Sequence, residues 1–247
     1  MKIKEFDIRN IQRSSSWIIL GPPGSGKSTF IENLVYNNRN NYAICKVICS
    51  VPPPHKRYCQ IFPPLFVHSE FNKQTEEAFI KERQVRMANS KNVSKYCIYI
   101  LDDITMNKNS FNDNFFSDLF KKGSRHWCMM TLLVSQYALE FPPSIRSSAT
   151  YIVIFKYTNM KDIKKLFENY AGVFGDEKLF VNAMEKLTGE HGCIIIHNNV
   201  SNDITDSVFY YKTEPIKEQW KFGCKQIWEV NDRKLDKKKK YGPFSDY

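Results

Sequence analysis

Residues 21–29 combine glycines, a lysine and hydroxyl side chains at a spacing that can hold a phosphate. The pattern G-x-x-x-x-G-K-[ST] is met at Gly21, Gly26, Lys27 and Ser28. Glycines let the backbone N–H groups turn inward around an anion, and Lys27 adds a charge that reaches the β- and γ-phosphates. The Ser28 hydroxyl is suited to ligate magnesium. The predicted nucleotide-binding residues are Gly21, Pro22, Pro23, Gly24, Ser25, Gly26, Lys27, Ser28 and Thr29.

Two acidic residues end the apolar run "CIYILDD" and could supply the second half of a hydrolytic site. Asp102 is placed to hold the shell of a magnesium ion, and Asp103 to polarise the attacking water as a general base. A solvated turn after a strand would also carry two acids. The phosphate loop in the same chain favours the hydrolytic interpretation, because both motifs are expected at one edge of a parallel sheet.

Gln136 ends another apolar run, "TLLVSQ", and is a third candidate. A central strand inserted between the loop strand and the acid strand would carry a polar residue at this end. The amide could hydrogen-bond the γ-phosphate or the lytic water and so report the bound nucleotide. A glutamine in an ordinary turn between strand and loop is the alternative.

Two arginines flank that strand in sequence. Arg125 lies in "KGSRHW" before it and Arg146 in "FPPSIRSS" after it. Either guanidinium could reach the γ-phosphate bound by a neighbouring subunit and stabilise the charge of the transition state. An ordinary surface ion pair is the alternative for each arginine.

Alternating strand and helix signals must position these residues, which indicates an α/β fold with a mostly parallel sheet covered by helices. Strands are predicted at residues 17–20, 42–50, 96–103, 128–136, 150–157, 191–198 and 207–213. Helices are predicted at residues 28–36, 72–90, 111–123, 160–170 and 176–187, the second charged and exposed and the third stopped by Gly123. The proline-rich stretch 51–66 is predicted to be an ordered surface loop.

Composition bounds the class of protein. The chain has 247 residues, 42% of them hydrophobic, which suits one large domain over residues 1–230. Residues 231–247 are basic, lack a periodic apolar face and are predicted to form a flexible tail. The net charge of +10 favours a polyanionic partner, with nucleic acid first and an anionic membrane second.

The remaining sequence features concern compartment and metals. The seven cysteines form no C-x-x-C pair and are interpreted as reduced core residues of a cytosolic protein. The amino terminus lacks an apolar signal core, and no segment approaches the roughly 20 apolar residues of a membrane span. We therefore expect a soluble intracellular protein without a membrane partner.

Four stretches together resemble a known family: "GPPGSGKS", "CIYILDDI", "GSRHWCMMTLLVSQ" and "FPPSIRSS". They are similar to the FtsK–HerA group of P-loop ATPases, above all to the poxvirus-type DNA-packaging ATPases of large DNA viruses and virophages. The resemblance covers about residues 13–157. The arginine–histidine pair, the terminal Ser-Gln and the proline turn before Ile145 and Arg146 make it much more specific than the phosphate loop alone.

The resemblance implies a RecA-like core of the additional-strand catalytic-glutamate class, with ATP and Mg²⁺ as cofactors. It also implies a homo-oligomeric ring that moves double-stranded DNA into a preformed capsid, in the host cytoplasm or a virus factory, with the virion as a further location. By this likeness the roles fall on Lys27 and Ser28 (phosphate and metal), Asp102 (metal), Asp103 (base), Gln136 (sensor) and Arg125 or Arg146 (finger in trans). Many members carry Asp-Glu at the acids, so the shorter Asp103 is a departure that could slow hydrolysis.

Other classes of protein share parts of this pattern. A small-molecule kinase would have the phosphate loop together with an arginine-rich lid, and a nucleotide-gated adaptor would have it without working acids. A GTPase would need N-K-x-D, but "NKNS" ends on Ser110 where the aspartate should stand. The kinase would also need no neighbouring subunit, and the intact Asp102 and Asp103 argue against the adaptor.

Overall fold

The computed structural model describes residues 3–91, 95–104, 110–137, 141–198, 201 and 203–241. Nine strands in these ranges form one sheet: β1 Lys4–Glu5, β2 Ser16–Leu20, β3 Ile44–Cys49, β4 Val67–His68, β5 Cys97–Asp102, β6 Met129–Ser135, β7 Tyr151–Phe155, β8 Gly192–His197 and β9 Val208–Lys212. Their order is β1-β9-β8-β7-β2-β6-β5-β3-β4. Only β8 runs antiparallel to its neighbours, so the predicted mostly parallel sheet is confirmed.

Helices cover both faces of the sheet: α1 Lys27–Asn38, α2 Pro52–Ile61, α3 Lys73–Ala78, α4 Arg86–Ala88, α5 Asn114–His126, α6 Pro143–Arg146, α7 Met160–Tyr170, α8 Glu177–Leu187, α9 Ile204–Ser207 and α10 Lys225–Tyr241. A π-helical segment, Phe79–Val85, joins α3 to α4. Helices α1 and α2 contribute to the core on one face, and α5, α7 and α8 to the core on the other.

The central strands are buried along their whole length. Every residue of β2, β3, β5, β6 and β7 is buried, because helices lie on both faces of the sheet. Strand β6 lies between β2 and β5, with Leu133 level with Ile18 on one side and with Leu101 on the other. The predicted insertion of a strand between the loop strand and the acid strand is therefore confirmed, and the ends of all three strands meet at one edge.

The proline-rich stretch 51–66 is helical where the sequence predicted a loop. Helix α2 begins at Pro52, and Val51 before it is extended. Prolines at the start of a helix remove only backbone donors that have no partner in the first turn, so they start α2 instead of preventing it. The expectation failed because it applied the rule for a helix interior to a helix start.

Two predicted helices differ in detail from the structure. Helix α5 continues past Gly123 to His126. The glycine is buried against β6, and a Cβ at this position would lie 3.6 Å from Thr131 Oγ1. It is thus a packing residue and not a stop. The helix predicted at 72–90 is exposed only in part, because Glu76 and Gln84 point inward and are 2% and 0% exposed.

The carboxyl-terminal region crosses the predicted boundary at residue 230. Helix α10 runs from Lys225 to Tyr241, where the sequence predicted no regular structure, since lysine, arginine and leucine favour a helix even without an apolar face. Asn231 is 2% exposed and its Oδ1 accepts the Leu65 N–H at 2.9 Å. The division into a domain and a tail stays a prediction.

The cysteines and the apolar character of the helices are the remaining features that the sequence addressed. All seven cysteines are free thiols, and five of them are fully or half buried on strands or helices: Cys45, Cys49, Cys59, Cys97 and Cys193. Cys128 is half buried just before β6, whereas Cys224 is exposed, so the expectation of a core residue is wrong for Cys224. None of the helices in the described ranges has the length and apolar character needed to cross a bilayer. Positions 107–109 of "NKNS" lie outside the described residues.

Candidate functional site

The phosphate loop lies between the end of β2 and the start of α1. Gly21 continues β2, and its N–H donates to the Ser135 carbonyl at 3.2 Å. A Cβ on Gly21 would lie 2.5 Å from Ser25 Oγ and 2.8 Å from Phe155 Cβ, so only glycine fits. Gly26 caps α1 with a φ of 111°, which also requires glycine. The loop folds tightly back on itself and places the start of α1 at the carboxyl edge of the sheet.

Two polar side chains of the loop are candidates to contact a phosphate. Ser25 Oγ is buried and has no hydrogen-bond partner among the described residues. Lys27 is buried, and its Nζ donates to the carbonyls of Gly21 at 2.7 Å and Pro22 at 3.3 Å. Burial lowers the pKa of Lys27, and the nearby Asp103 and Asp102 oppose that shift. A phosphate would supply a hydrogen-bond partner for Ser25 Oγ and a further negative charge beside Lys27.

Ser28 and Thr29 follow in the first turn of α1, and both are half buried. The first helical N–H groups have no partner inside a helix, and together with the helix dipole they favour an anion. The first turn contains no acidic side chain that would compete for that place. The start of α1 therefore suits the phosphates of a nucleotide.

Asp102 is the last residue of β5 and is 2% exposed. Its Oδ2 accepts a hydrogen bond from the Tyr58 hydroxyl at 2.8 Å, and Cys49 Sγ lies 4.0 Å from the same oxygen. Burial raises the pKa of Asp102 to about 6, while Tyr58 and Lys27 act in the opposite direction. A carboxylate this deeply buried is stabilised by a cation next to it.

Asp103 turns away from the strand and toward the loop. Its φ of 44° lies in the left-handed region, which few residues other than glycine, asparagine and aspartate adopt. Its Oδ2 lies 4.0 Å from Lys27 Nζ and accepts a hydrogen bond from Gln136 Nε2 at 2.8 Å. The side chain is 18% exposed, so it can meet solvent. The fold thus brings together Lys27, Asp103 and Gln136 at the carboxyl edge of the sheet.

Gln136 follows directly after β6, and its backbone carbonyl accepts the Tyr157 hydroxyl at 2.8 Å. The sequence indicated that its amide would face phosphate or water. In the structure the amide Nε2 donates a hydrogen bond to Asp103 Oδ2. One amide can hold the carboxylate with its Nε2 and present its oxygen to another group. Gln136 is therefore placed to orient Asp103.

The donor set fits ATP and Mg²⁺. For phosphate, the loop offers the Ser25 hydroxyl, the Lys27 ammonium group and the first N–H groups of α1, while the Ser28 hydroxyl and the Asp102 carboxylate have oxygen atoms of the kind that ligate Mg²⁺. Mg²⁺ in nucleotide sites is held by one or two protein oxygens together with phosphates and water. No group of three or more His, Cys, Asp or Glu side chains that could hold a metal by itself occurs among the described residues.

The two arginines lie at the opposite edge of the sheet from this site. Arg125 is in the last turn of α5, before β6 begins. Arg146 ends α6, before β7 begins, and its carbonyl accepts the Asn198 side chain at 3.3 Å. The strands are five to seven residues long, which corresponds to roughly 20 Å at about 3.3 Å per residue. Neither arginine is placed to contact a nucleotide bound to its own chain.

The surroundings of the two guanidinium groups differ. Arg146 Nη1 donates to Asn169 Oδ1, and its guanidinium lies 5.5 Å from the centre of the Tyr170 ring. Arg125 is exposed and forms no ion pair with any residue that the structure describes. Arg125 is therefore free to reach a neighbouring molecule, whereas Arg146 is held by its own chain.

The sequence did not point to two parts of the site. Tyr58 lies on α2, in the segment predicted as a loop, and no local pattern ties it to Asp102. The loop before β8 and the end of β9 form a wall beside the phosphate loop. His191 Cβ and Thr213 Oγ1 lie 3.3 and 3.2 Å from the place that a Cβ on Gly26 would take. Only the sheet order could have indicated this wall.

Comparison with solved structures supports the fold. The DNA-packaging ATPase B204 from Sulfolobus turreted icosahedral virus aligns with a TM-score of 0.57 at 13% identity, covering 83% of this chain and all of that one. The genome packaging NTPase B204 from Sulfolobus turreted icosahedral virus 2, solved with ATP-gammaS, aligns with a TM-score of 0.54 at 11% identity over 83% of this chain. At such identity the likeness establishes the P-loop NTPase fold.

Sequence comparison establishes the family. Uncharacterized protein 075L of Invertebrate iridescent virus 6 is 31% identical over 232 residues, which are 93% of this chain and 89% of that protein. The family model of the poxvirus A32 protein matches residues 3–218. This match spans the phosphate loop, both acids, Gln136 and both arginines, and it confirms the poxvirus-type resemblance. The chain belongs to the poxvirus A32 protein family.

Proposed function

We propose that this protein is an ATP-hydrolysing motor that translocates double-stranded DNA and packages a viral genome into a preformed capsid. The observation that carries the proposal is the meeting of Lys27, Asp103 and Gln136 at the ends of three adjacent strands. Membership of the A32 family and the likeness to packaging ATPases support it. A kinase or a nucleotide-gated adaptor has no comparable support.

In this proposal, different residues bind the phosphates, hold the metal and activate the attacking water. The N–H groups at the start of α1 and the Lys27 ammonium bind the β- and γ-phosphates. Ser28 and Asp102 would hold Mg²⁺, which when bound neutralises charge on these phosphates. Asp103 accepts the proton of the water that attacks the γ-phosphorus, and Gln136 holds the Asp103 carboxylate in place through its 2.8 Å hydrogen bond.

Arg125 is the proposed finger and acts on the nucleotide of a neighbouring subunit. Its position at the edge away from Lys27 means that one subunit alone cannot bring both groups to the same phosphate. A homo-oligomeric ring would place this edge of one subunit against the phosphate loop of the next. Hydrolysis would then depend on assembly, and Arg146 stays the second candidate.

Duplex DNA is the proposed track. The chain carries 36 basic and 26 acidic residues, and a motor that follows a duplex must contact phosphates without reading sequence. We propose that the basic residues of α10 add to this contact. Contacts with a capsid protein, and a place in the host cytoplasm, a virus factory or the virion, belong to the same proposal.

The test is the rate of ATP hydrolysis with and without duplex DNA. We expect duplex of any sequence to raise the rate several-fold, and the stimulation to fall steeply as salt increases. Mg²⁺ should be required throughout. Single-stranded DNA at equal phosphate concentration is the control for charge alone. A rate that duplex leaves unchanged at low salt, in a protein that hydrolyses ATP, would contradict the proposed track.

A further inference from the structure

Tyr58 makes the most direct contact with Asp102 of any side chain that the structure describes. The tyrosine lies on α2, is 2% exposed, and donates its hydroxyl to Asp102 Oδ2 at 2.8 Å. The two residues are 44 positions apart in sequence, so the contact joins α2 to the end of β5. The Tyr58 hydroxyl therefore has the Asp102 carboxylate as its hydrogen-bond acceptor.

The contact leaves one oxygen of the carboxylate for other partners. Tyr58 Oη and Cys49 Sγ both lie against Oδ2. A carboxylate anchored by one oxygen has a fixed plane, and its second oxygen then has a fixed direction. Hydrogen bonds of this kind orient metal ligands in proteins, and removing one typically costs 10–100-fold in metal affinity.

Helix α2 is itself held on two sides, so the hydroxyl has a defined position. The Phe222 N–H donates to the Ile61 carbonyl at 2.8 Å at the end of α2, and Phe222 is fully buried. Arg57 on α2 forms an ion pair with Glu32 on α1, the helix that follows the phosphate loop. Helix α2, which carries Tyr58, therefore contacts both α1 and the segment before α10.

We propose that Tyr58 is a positioning residue for Mg²⁺, which acts by orienting the Asp102 carboxylate. The inference rests on the proposed function, because it takes Asp102 as a ligand of the metal. It adds a residue from α2 to a site that otherwise consists of the loop and the strand ends. Tyr58 contacts neither the nucleotide nor the reacting atoms.

A purely structural role for Tyr58 would lead to a different result at the metal. Its ring packs 5.9 Å from the ring of Phe62, which in turn lies 5.5 Å from that of Phe222. If the ring alone mattered, phenylalanine would replace tyrosine without any change at the metal. The hydroxyl is the only part of the side chain that can affect Asp102 directly.

The experiment is a titration of nucleotide binding with Mg²⁺ in the full-length Tyr58→Phe protein. A fluorescent, non-hydrolysable ATP analogue reports binding, and the free Mg²⁺ at half-maximal binding is compared with wild type. We expect this midpoint to rise about tenfold, while analogue affinity in EDTA is unchanged. Thermal unfolding without nucleotide verifies that the variant is folded.

Tyr42→Phe is the matched control. Tyr42 is buried on the same face of the sheet, and its hydroxyl donates to the Arg13 carbonyl at 2.8 Å, away from the site. A wild-type Mg²⁺ midpoint in folded Tyr58→Phe, or an equal rise in Tyr42→Phe, would overturn the role of Tyr58. Wild-type binding that is indifferent to Mg²⁺ would instead contradict the proposed function, and the inference with it.

Discussion

Replacing Asp103 with asparagine is expected to leave ATP binding intact and to reduce turnover roughly 100-fold or more. Asparagine keeps the shape of the side chain and can still pair with Gln136, but it cannot accept the proton of the attacking water. The measurement compares equilibrium binding of a fluorescent ATP analogue with steady-state hydrolysis in the same protein. Asp118→Asn, an exposed residue of α5 that pairs with Lys122, is the control for loss of a carboxylate.

Lys27→Ala is the complementary half of this prediction. Lys27 contacts the loop itself and is placed for the ground-state phosphates, so its loss should remove analogue binding together with hydrolysis. Unfolding midpoints verify that both variants are folded. Normal turnover in Asp103→Asn would contradict its assignment as the base, and Asp102 would become the next candidate.

Mixing Arg125→Ala subunits with Lys27→Ala subunits is expected to restore hydrolysis that neither protein has alone. At some interfaces of a mixed ring, the intact pocket of the Arg125→Ala subunit meets the intact finger of its neighbour. The measured quantity is the steady-state rate of the mixture, which should rise several-fold above the sum of the separate proteins. The same mixture with Arg146→Ala tests the second candidate.

A mixture of Lys27→Ala and Asp103→Asn serves as the control for this experiment. Both changes damage the pocket, so no subunit in the mixed ring has a complete one and no recovery is expected. Absence of recovery for either arginine in rings that exchange subunits would contradict a finger in trans. Recovery in the control would mean that the pocket residues themselves act across the interface.

The strands and the phosphate loop could be predicted because their signals are local. The run from Trp17 to Leu20 is apolar without interruption, as expected for a strand covered on both faces, and the loop motif follows it directly. The strand that ends at Ser135 was expected between the loop and acid strands, and it lies there. Neighbouring residues decide the strands and the loop, whereas the place of β6 was expected from the polar residue at its end.

Features that depend on distant residues could not be predicted in this way. The hydrogen bond between Tyr58 and Asp102 joins a helix to a strand that it does not follow, and the prolines before Tyr58 indicated a loop. The helix that includes Glu76 was expected to be exposed. Glu76 instead points toward the core, where it forms a buried ion pair with Lys46 on β3. Arg125 and Arg146 lie at the edge of the sheet away from the phosphate loop. This position follows from the direction of the strands, which the order of elements along the chain does not determine.

If hydrolysis at Lys27 and Asp103 moves the protein along duplex DNA, the protein should displace a third strand from that duplex. A fluorescent oligonucleotide bound as a triplex at one site on a long duplex is released when a translocating protein reaches it. We expect release by wild-type protein with ATP and Mg²⁺, and none by Asp103→Asn or with a non-hydrolysable analogue. Vigorous ATP hydrolysis by wild-type protein on that duplex, with no more release than Asp103→Asn gives, would contradict translocation along DNA.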